Sequence, residues 1–90
     1  MRMYNPPHPG KVIKEYLGDV TVKEAAAKIG VNRVMLQRVV SGAARVSPDM
    51  AFRLAAAFGT SPELWYGMQV QYDLDAASKV ERPRIERITA

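Results

Sequence analysis

The sequence contains no cysteine, one histidine and no long apolar run. Without cysteine the chain forms neither a disulfide framework nor a thiolate zinc site. Its apolar stretches are much shorter than the roughly 18 residues that a membrane-spanning helix requires. The N-terminal segment MRMYNPPHPG also lacks the apolar centre of a secretion signal. We therefore expect a cytoplasmic protein that does not enter a membrane.

Groups that commonly carry catalysis are also scarce. The single histidine, His8, lies between prolines, where a structural role at the start of a helix is commoner than catalysis. One histidine without cysteine does not make a zinc site of the usual kind. The carboxylates are scattered, and most have a lysine or arginine within helical reach. These residues predict no enzyme activity, no metal, no cofactor and no small-molecule substrate.

Positive charge is concentrated in the first half of the 90-residue chain. Positions 1–47 carry eight basic and three acidic residues, whereas positions 48–78 carry one basic and four acidic residues. Positions 79–90 return to four basic and two acidic residues. This asymmetry suits the first half, but not the middle, to a polyanionic partner.

Capping and stop signals divide the chain into five helices and leave no strand pattern of any length. Prolines keep the segment NPPHPG extended until Pro9, which suits a first helical turn. Serine, threonine or asparagine then precedes each later helix, and glycine follows most of them. The predicted helices are α1 (Pro9–Leu17), α2 (Val22–Ile29), α3 (Arg33–Ser41), α4 (Pro48–Phe58) and α5 (Pro62–Ser78). We predict one all-α domain, residues 1–78, and a basic tail, residues 79–90, outside its core.

The stretch TVKEAAAKIGVNRVMLQRVVSG, residues 21–42, has the signals of a helix-turn-helix. Such a pair needs a small residue where the helices nearly touch, a glycine in the turn and apolar residues that fix the crossing angle. Ala26 suits the first role, and Gly30 follows four positions later. Thr21, with a glutamate three residues on, forms a capping box for α2, and Asn32 is a good N-cap for α3. An ordinary two-helix corner is the alternative interpretation.

The outward face of α3 carries side chains that suit base recognition. At about 100° per residue, Leu36, Val39 and Val40 face inward, and the opposite side is polar apart from one valine. Arginine can bond guanine, glutamine can bond adenine, and valine can contact a thymine methyl group. A merely solvated face would not need an exposed valine beside an arginine. The predicted base-reading residues are Asn32, Arg33, Val34, Gln37 and Arg38.

Two further sets of residues complete the predicted interface. Phosphate contacts are expected at the start of α2 and around the end of α3, from Thr21, Lys23, Ser41 and Arg45. A small monomer on one half-site rarely binds tightly, so we expect a dimer that places two α3 helices about 34 Å apart along the duplex. Helix α5 is apolar on a second side, and the predicted homodimer seam consists of Tyr66, Val70, Leu74 and Ala77.

The order of these segments resembles the HigA-type antitoxins of bacterial toxin–antitoxin modules, within the Xre/Cro/C1 helix-turn-helix family. The resemblance spans residues 5–74. The helix-turn-helix alone resembles the larger family, and the segments HPG and GTSPELW narrow the resemblance to the HigA type. It implies a compact, five-helix, lambda-repressor-like DNA-binding domain. It also implies a dimeric antitoxin that neutralises a RelE-like mRNA-cleaving toxin and represses its own operon at a palindromic operator in double-stranded DNA.

One position departs from that family, and two alternative functions stay open. The family usually has a phosphate-binding glutamine just after the α2 cap, where this chain has Val22, and Lys23 is the candidate replacement. A free-standing repressor of the same fold is the first alternative, because toxin binding leaves no short sequence motif. A protein-binding module that uses the helix-turn-helix as a scaffold is the second. The outward Arg33, Gln37 and Arg38 argue against that module.

Overall fold

The computed structural model describes residues 5–89, which form five α-helices and no strand. The helices are α1 (Pro9–Leu17), α2 (Val22–Ile29), α3 (Arg33–Ser41), α4 (Pro48–Phe58) and α5 (Pro62–Ser78). The predicted all-α class and all five helices are therefore confirmed.

Side-chain oxygens cap the N-termini of four helices. The acceptors are Thr21 for α2, Asn32 for α3, Ser47 for α4 and Ser61 for α5, each bonded to a backbone N–H of the first turn. Each bond satisfies one of the donors that a helix N-terminus leaves without an intrahelical partner. The helix boundaries follow from these local bonds, which is why sequence signals located them.

All five helices contribute to the core, and its largest side chain is Trp65 of α5, which is fully buried. Its indole nitrogen donates to the Thr60 hydroxyl at 2.7 Å, so burial leaves no polar atom of the ring without a partner. The ring meets Tyr16 edge-on at 5.2 Å and Phe58 at 5.6 Å. These contacts join α5 to the C-terminal ends of α1 and α4.

Residues 79–89 continue beyond α5 without a helix and are exposed. Arg82 donates to the carbonyls of Ala77 at 2.7 Å and Val80 at 3.0 Å, which satisfies acceptors at the end of α5. The segment thus lies outside the core, whereas the division into two functional parts at residue 78 stays a prediction.

Helix α1 crosses α3 at a short distance, and Gly10 makes this crossing possible. A β-carbon built on Gly10 would lie 2.3 Å from the Val39 carbonyl oxygen and 2.6 Å from that of Val40. Both distances are far inside van der Waals contact, and both neighbours are backbone atoms of a helix that cannot easily shift. The sequence pattern places this glycine in the first turn of α1 but assigns it no contact, so its packing role emerges only from the structure.

Replacing Gly10 with alanine should therefore push α1 away from α3. We expect Gly10→Ala to lower the free energy of unfolding by about 1–3 kcal/mol or more, the usual cost of overpacking a core. The matched control is Gly67→Ala in α5, where the added β-carbon has no neighbour within 4 Å. That change should raise the free energy of unfolding by about 0.5–1 kcal/mol, the difference in helix propensity. Urea titration followed by Trp65 fluorescence measures both, and equal shifts in the same direction would contradict the crossing geometry.

Candidate nucleic-acid interface

The turn between α2 and α3 has the geometry of a helix-turn-helix. Gly30 adopts the left-handed conformation, with φ 73° and ψ 35°, and its N–H donates to the Ala26 carbonyl. Ala26 is 2% exposed, as its predicted position between the helices requires. Asn32 then starts α3, its side-chain oxygen accepting from the N–H groups of Val34 at 2.8 Å and Met35 at 3.2 Å. The chain therefore leaves one helix and starts the next within three residues.

A side chain from α4 holds this turn in place. The Arg53 guanidinium donates to the carbonyls of Ile29 at 2.6 Å and Gly30 at 3.3 Å, and its Nε donates to Asp49 at 2.8 Å. It thus satisfies acceptors at the C-terminus of α2 and ties the turn to the core helix α4. Sequence reasoning missed Arg53 because its partners in the turn lie 23 and 24 residues away in the chain.

The outward face of α3 and the start of α2 share one shallow depression. Its lining residues are Val22, Lys23, Arg33, Val34, Gln37 and Arg38. Four predicted base-reading residues and one predicted phosphate ligand are thus brought together on one surface. Val34 is 61% exposed, whereas Leu36 and Val39 on the opposite side of α3 are each 1% exposed. The predicted division of α3 into two faces is confirmed, although Val40 is only half-buried.

Some predicted contact residues already have partners within the chain. The Thr21 hydroxyl oxygen accepts from the Glu24 N–H at 3.1 Å, so the Thr21 half of the predicted capping box is confirmed. Ser41 donates its hydroxyl to the Arg38 carbonyl at 3.1 Å. The Arg38 guanidinium donates to the Ala43 carbonyl at 3.3 Å, just beyond the end of α3.

His8 joins the start of α1 to the loop after α3. Its Nδ1 accepts from the Gly10 N–H at 2.9 Å, and its ring forms a second hydrogen bond with the Ala44 backbone. The ring also meets Tyr72 of α5 edge-on at 5.0 Å. Burial lowers the pKa of His8 below its ordinary value of 6.5, which keeps Nδ1 unprotonated as an acceptor. The predicted structural role of His8 is confirmed.

Arg45, a predicted phosphate ligand, is ion-paired with Asp73 of α5. Asp73 also accepts at 2.9 Å from the side-chain amide of Gln69, which is 1% exposed, and the Gln69 oxygen accepts from the Val46 N–H at 2.7 Å. Burial tends to raise the pKa of Asp73, but hydrogen bonds from Arg45 and Gln69 outweigh it and hold that pKa below 3.8. Sequence reasoning missed Gln69 and Asp73. Their only sequence signal is the i, i+4 spacing of two polar residues, which other polar residues of α5 such as Gln71 and Asp75 make inconspicuous.

The predicted seam residues lie along α5. Leu74 is 47% exposed, and Tyr66, Val70 and Ala77 are half-buried. Phe52 of α4, which sequence reasoning missed, is 66% exposed and lines a depression together with Tyr66. An apolar surface therefore continues from α5 onto α4.

Two kinds of feature are absent from residues 5–89. No three histidine, aspartate or glutamate side chains in this part of the chain are grouped so that they could hold a metal ion. None of the described helices combines the length and apolar character needed to cross a membrane.

Residues 13–65 match the helix-turn-helix family. The chain belongs to this family. The virulence-associated protein A′ of Dichelobacter nodosus is 42% identical over 76 residues, which cover 81% of this chain and 66% of that protein.

Similar solved structures point to a more specific group within the helix-turn-helix family. The chain is 34% identical, with a TM-score of 0.80, to an addiction module antidote protein of the HigA family from Coxiella burnetii, and the match covers 88% of this chain and 86% of that one. Antitoxin HigA of Pseudomonas aeruginosa, solved with the higBA promoter, is 32% identical with a TM-score of 0.78, covering 81% and 83%. The predicted resemblance to HigA-type antitoxins is confirmed.

Proposed function

We propose that this chain is the antitoxin of a type II toxin–antitoxin module. In this proposal it binds a palindromic operator as a homodimer, represses its own operon and neutralises a RelE-like mRNA-cleaving toxin in the cytoplasm. The observation that carries the proposal is the depression shared by α2 and α3, which gathers Arg33, Val34 and Gln37 beside Lys23. The similar HigA of Pseudomonas aeruginosa, solved with promoter DNA, supports it.

Base recognition is assigned to the exposed face of α3, placed in the major groove. Arg33 and Gln37 supply the hydrogen-bonding groups for purine edges, and Val34 supplies the apolar contact for a thymine methyl group. Asn32 uses its oxygen as the N-cap, so its amide N–H groups are the donors left for DNA. One Arg38 nitrogen is engaged by Ala43, and a guanidinium carries further donors.

Phosphate contacts are assigned to the positive N-terminus of α2 and to the loop after α3. The Thr21 oxygen accepts from the helix, and its hydroxyl proton is then available for a phosphate oxygen. Lys23 lies in the depression shared by α2 and α3 and adds a positive charge next to Val22. The Val22 side chain itself cannot hydrogen-bond a phosphate. Ser41 and Arg45 extend the phosphate surface beyond α3.

Alanine at Arg33 or Gln37 tests base recognition. Each change should cost about 1–3 kcal/mol of binding to a duplex enriched from a random-sequence pool by the wild-type protein. Binding to an unselected duplex should hardly change, because phosphates dominate that binding.

The matched control for base recognition is Lys23→Ala. It should weaken binding to both duplexes and reduce the salt slope by about 1. Fluorescence anisotropy at several salt concentrations distinguishes the two patterns. Equal binding of wild type and Arg33→Ala to the enriched duplex would contradict base recognition by Arg33. Failure of the wild type to enrich any duplex would favour the protein-binding module.

Glutamate at Val70 tests the proposed seam. A charge between two apolar α5 helices would lose its hydration without gaining a partner, so Val70→Glu should give monomers. Glutamate at Lys14, exposed on α1, is the control and should leave a dimer. Sedimentation equilibrium measures both. A Val70→Glu dimer as stable as the wild type would place the seam elsewhere.

Co-expression with the product of the neighbouring gene tests the toxin partner. We expect a small basic protein that arrests growth when produced alone and co-purifies with this chain without arrest when both are produced. Arg33→Ala, which should lose operator recognition, is the control and should still relieve the arrest. If the chain binds its operator but neither relieves toxicity nor retains a partner, it is a free-standing repressor.

A further inference from the structure

Each of the residues 43–46, just after α3, is bonded to a side chain that lies outside these four positions. We call residues 43–46 the α3–α4 loop. The pairs are Ala43 with Arg38, Ala44 with His8, Arg45 with Asp73, and Val46 with Gln69. Two of these four side chains belong to α5, which is also the helix of the proposed seam. The loop next to the proposed base-reading helix is therefore shaped by a distant part of the chain.

The two α5 contacts form a closed ring with the loop. The Val46 N–H donates to Gln69 at 2.7 Å, Gln69 donates to one Asp73 oxygen at 2.9 Å, and the other Asp73 oxygen accepts from Arg45. Arg45 and Val46 are neighbours in the chain, so the ring holds the backbone and the Arg45 side chain together. Since Gln69 is buried and both ends of its amide are bonded, it fixes the position of Asp73.

The ring leaves Arg45 accessible. Its side chain is 53% exposed, and its contact with Asp73 uses one of the terminal nitrogens. A guanidinium has five N–H donors in a rigid planar arrangement, so donors are left for a phosphate. A second α5 side chain, that of Tyr66, also interacts with the Arg45 guanidinium. An arginine oriented before binding loses less side-chain entropy when it meets a phosphate.

We propose that Gln69 and Asp73 are positioning residues for DNA binding, which hold Arg45 and the α3–α4 loop in the geometry that meets the phosphate backbone. This inference rests on the proposed DNA-binding function. It assigns operator affinity to two side chains of α5 that do not themselves contact DNA. The alternative is that Asp73 competes with phosphate for Arg45 and weakens binding. Anchoring of Asp73 by a buried amide, together with the exposure of Arg45, favours positioning.

The Asp73→Asn variant separates the two ideas, because it keeps the shape of the side chain and removes its charge. Removing a negative charge by itself strengthens binding to a polyanion. Positioning predicts the opposite result, a loss of about threefold to tenfold. The loss should be equal for the enriched and the unselected duplex, since Arg45 is assigned to phosphates and not to bases.

The matched control is Asp75→Asn on the same helix. Asp75 pairs with Lys79 at 3.2 Å instead of with the loop, and the variant loses the same charge. It should bind either duplex as tightly as the wild type or more tightly. Thermal unfolding followed by circular dichroism shows whether each variant is folded at the assay temperature. Should Asp73→Asn fail to fold, Asp73→Glu takes its place, since it retains the charge, displaces Arg45 by one methylene and should also weaken binding.

A double-mutant cycle with Arg45→Ala completes the test. Asp73→Asn should weaken binding in the wild-type background and have no further effect when Arg45 is absent. Tighter or unchanged binding by Asp73→Asn would overturn the inference and establish competition or no role, while the proposed function would stand. Equal weakening in both backgrounds would show that Asp73 acts on overall structure. Absence of DNA binding by the wild type would instead refute the proposed function and the inference with it.

Discussion

The close approach of α1 to α3 is the contact on which the placement of the candidate interface depends. It brings Gly10 against the carbonyls of Val39 and Val40, a distance that permits no side chain. Backbone atoms on both sides make the contact stiff, because neither helix can relax by rotating a side chain. The segment before α1 adds His8, which bonds the start of α1 and the loop after α3. The proline-rich start of the described chain thus supports the C-terminal end of α3.

The two ends of α3 are held by different means. At its start, interactions between neighbouring residues form the turn, with Gly30 in a left-handed conformation and Asn32 as the cap. Arg53 of α4 then ties that turn to the core. At its end, His8 from the segment before α1 and polar side chains of α5 hold the following loop. Between them Leu36 and Val39 bury one face. A helix held in this way presents its exposed face at a fixed angle, which base recognition requires.

Helix α5 performs three tasks. Trp65 fills the core, while Gln69 and Asp73 hold the α3–α4 loop. These three residues are spaced at i, i+4 and share one side of the helix, whereas the apolar residues assigned to the seam lie on another side. Tyr66 belongs to two of these groups, because its side chain interacts with Arg45 and the residue also lines the depression shared with Phe52. If the seam forms as proposed, dimer formation and phosphate contact are linked through adjacent side chains of one helix.

Local chemistry alone determined much of this protein. Helix boundaries, the turn at Gly30 and the two faces of α3 follow from caps, glycine conformation and residue periodicity, and these depend only on neighbours within a few positions. Tertiary structure decided what those elements meet. The crossing at Gly10, the hold of Arg53 on the turn and the ring of Gln69, Asp73 and Arg45 join residues more than 20 positions apart. No local pattern encodes such contacts, because they exist only once the helices are packed.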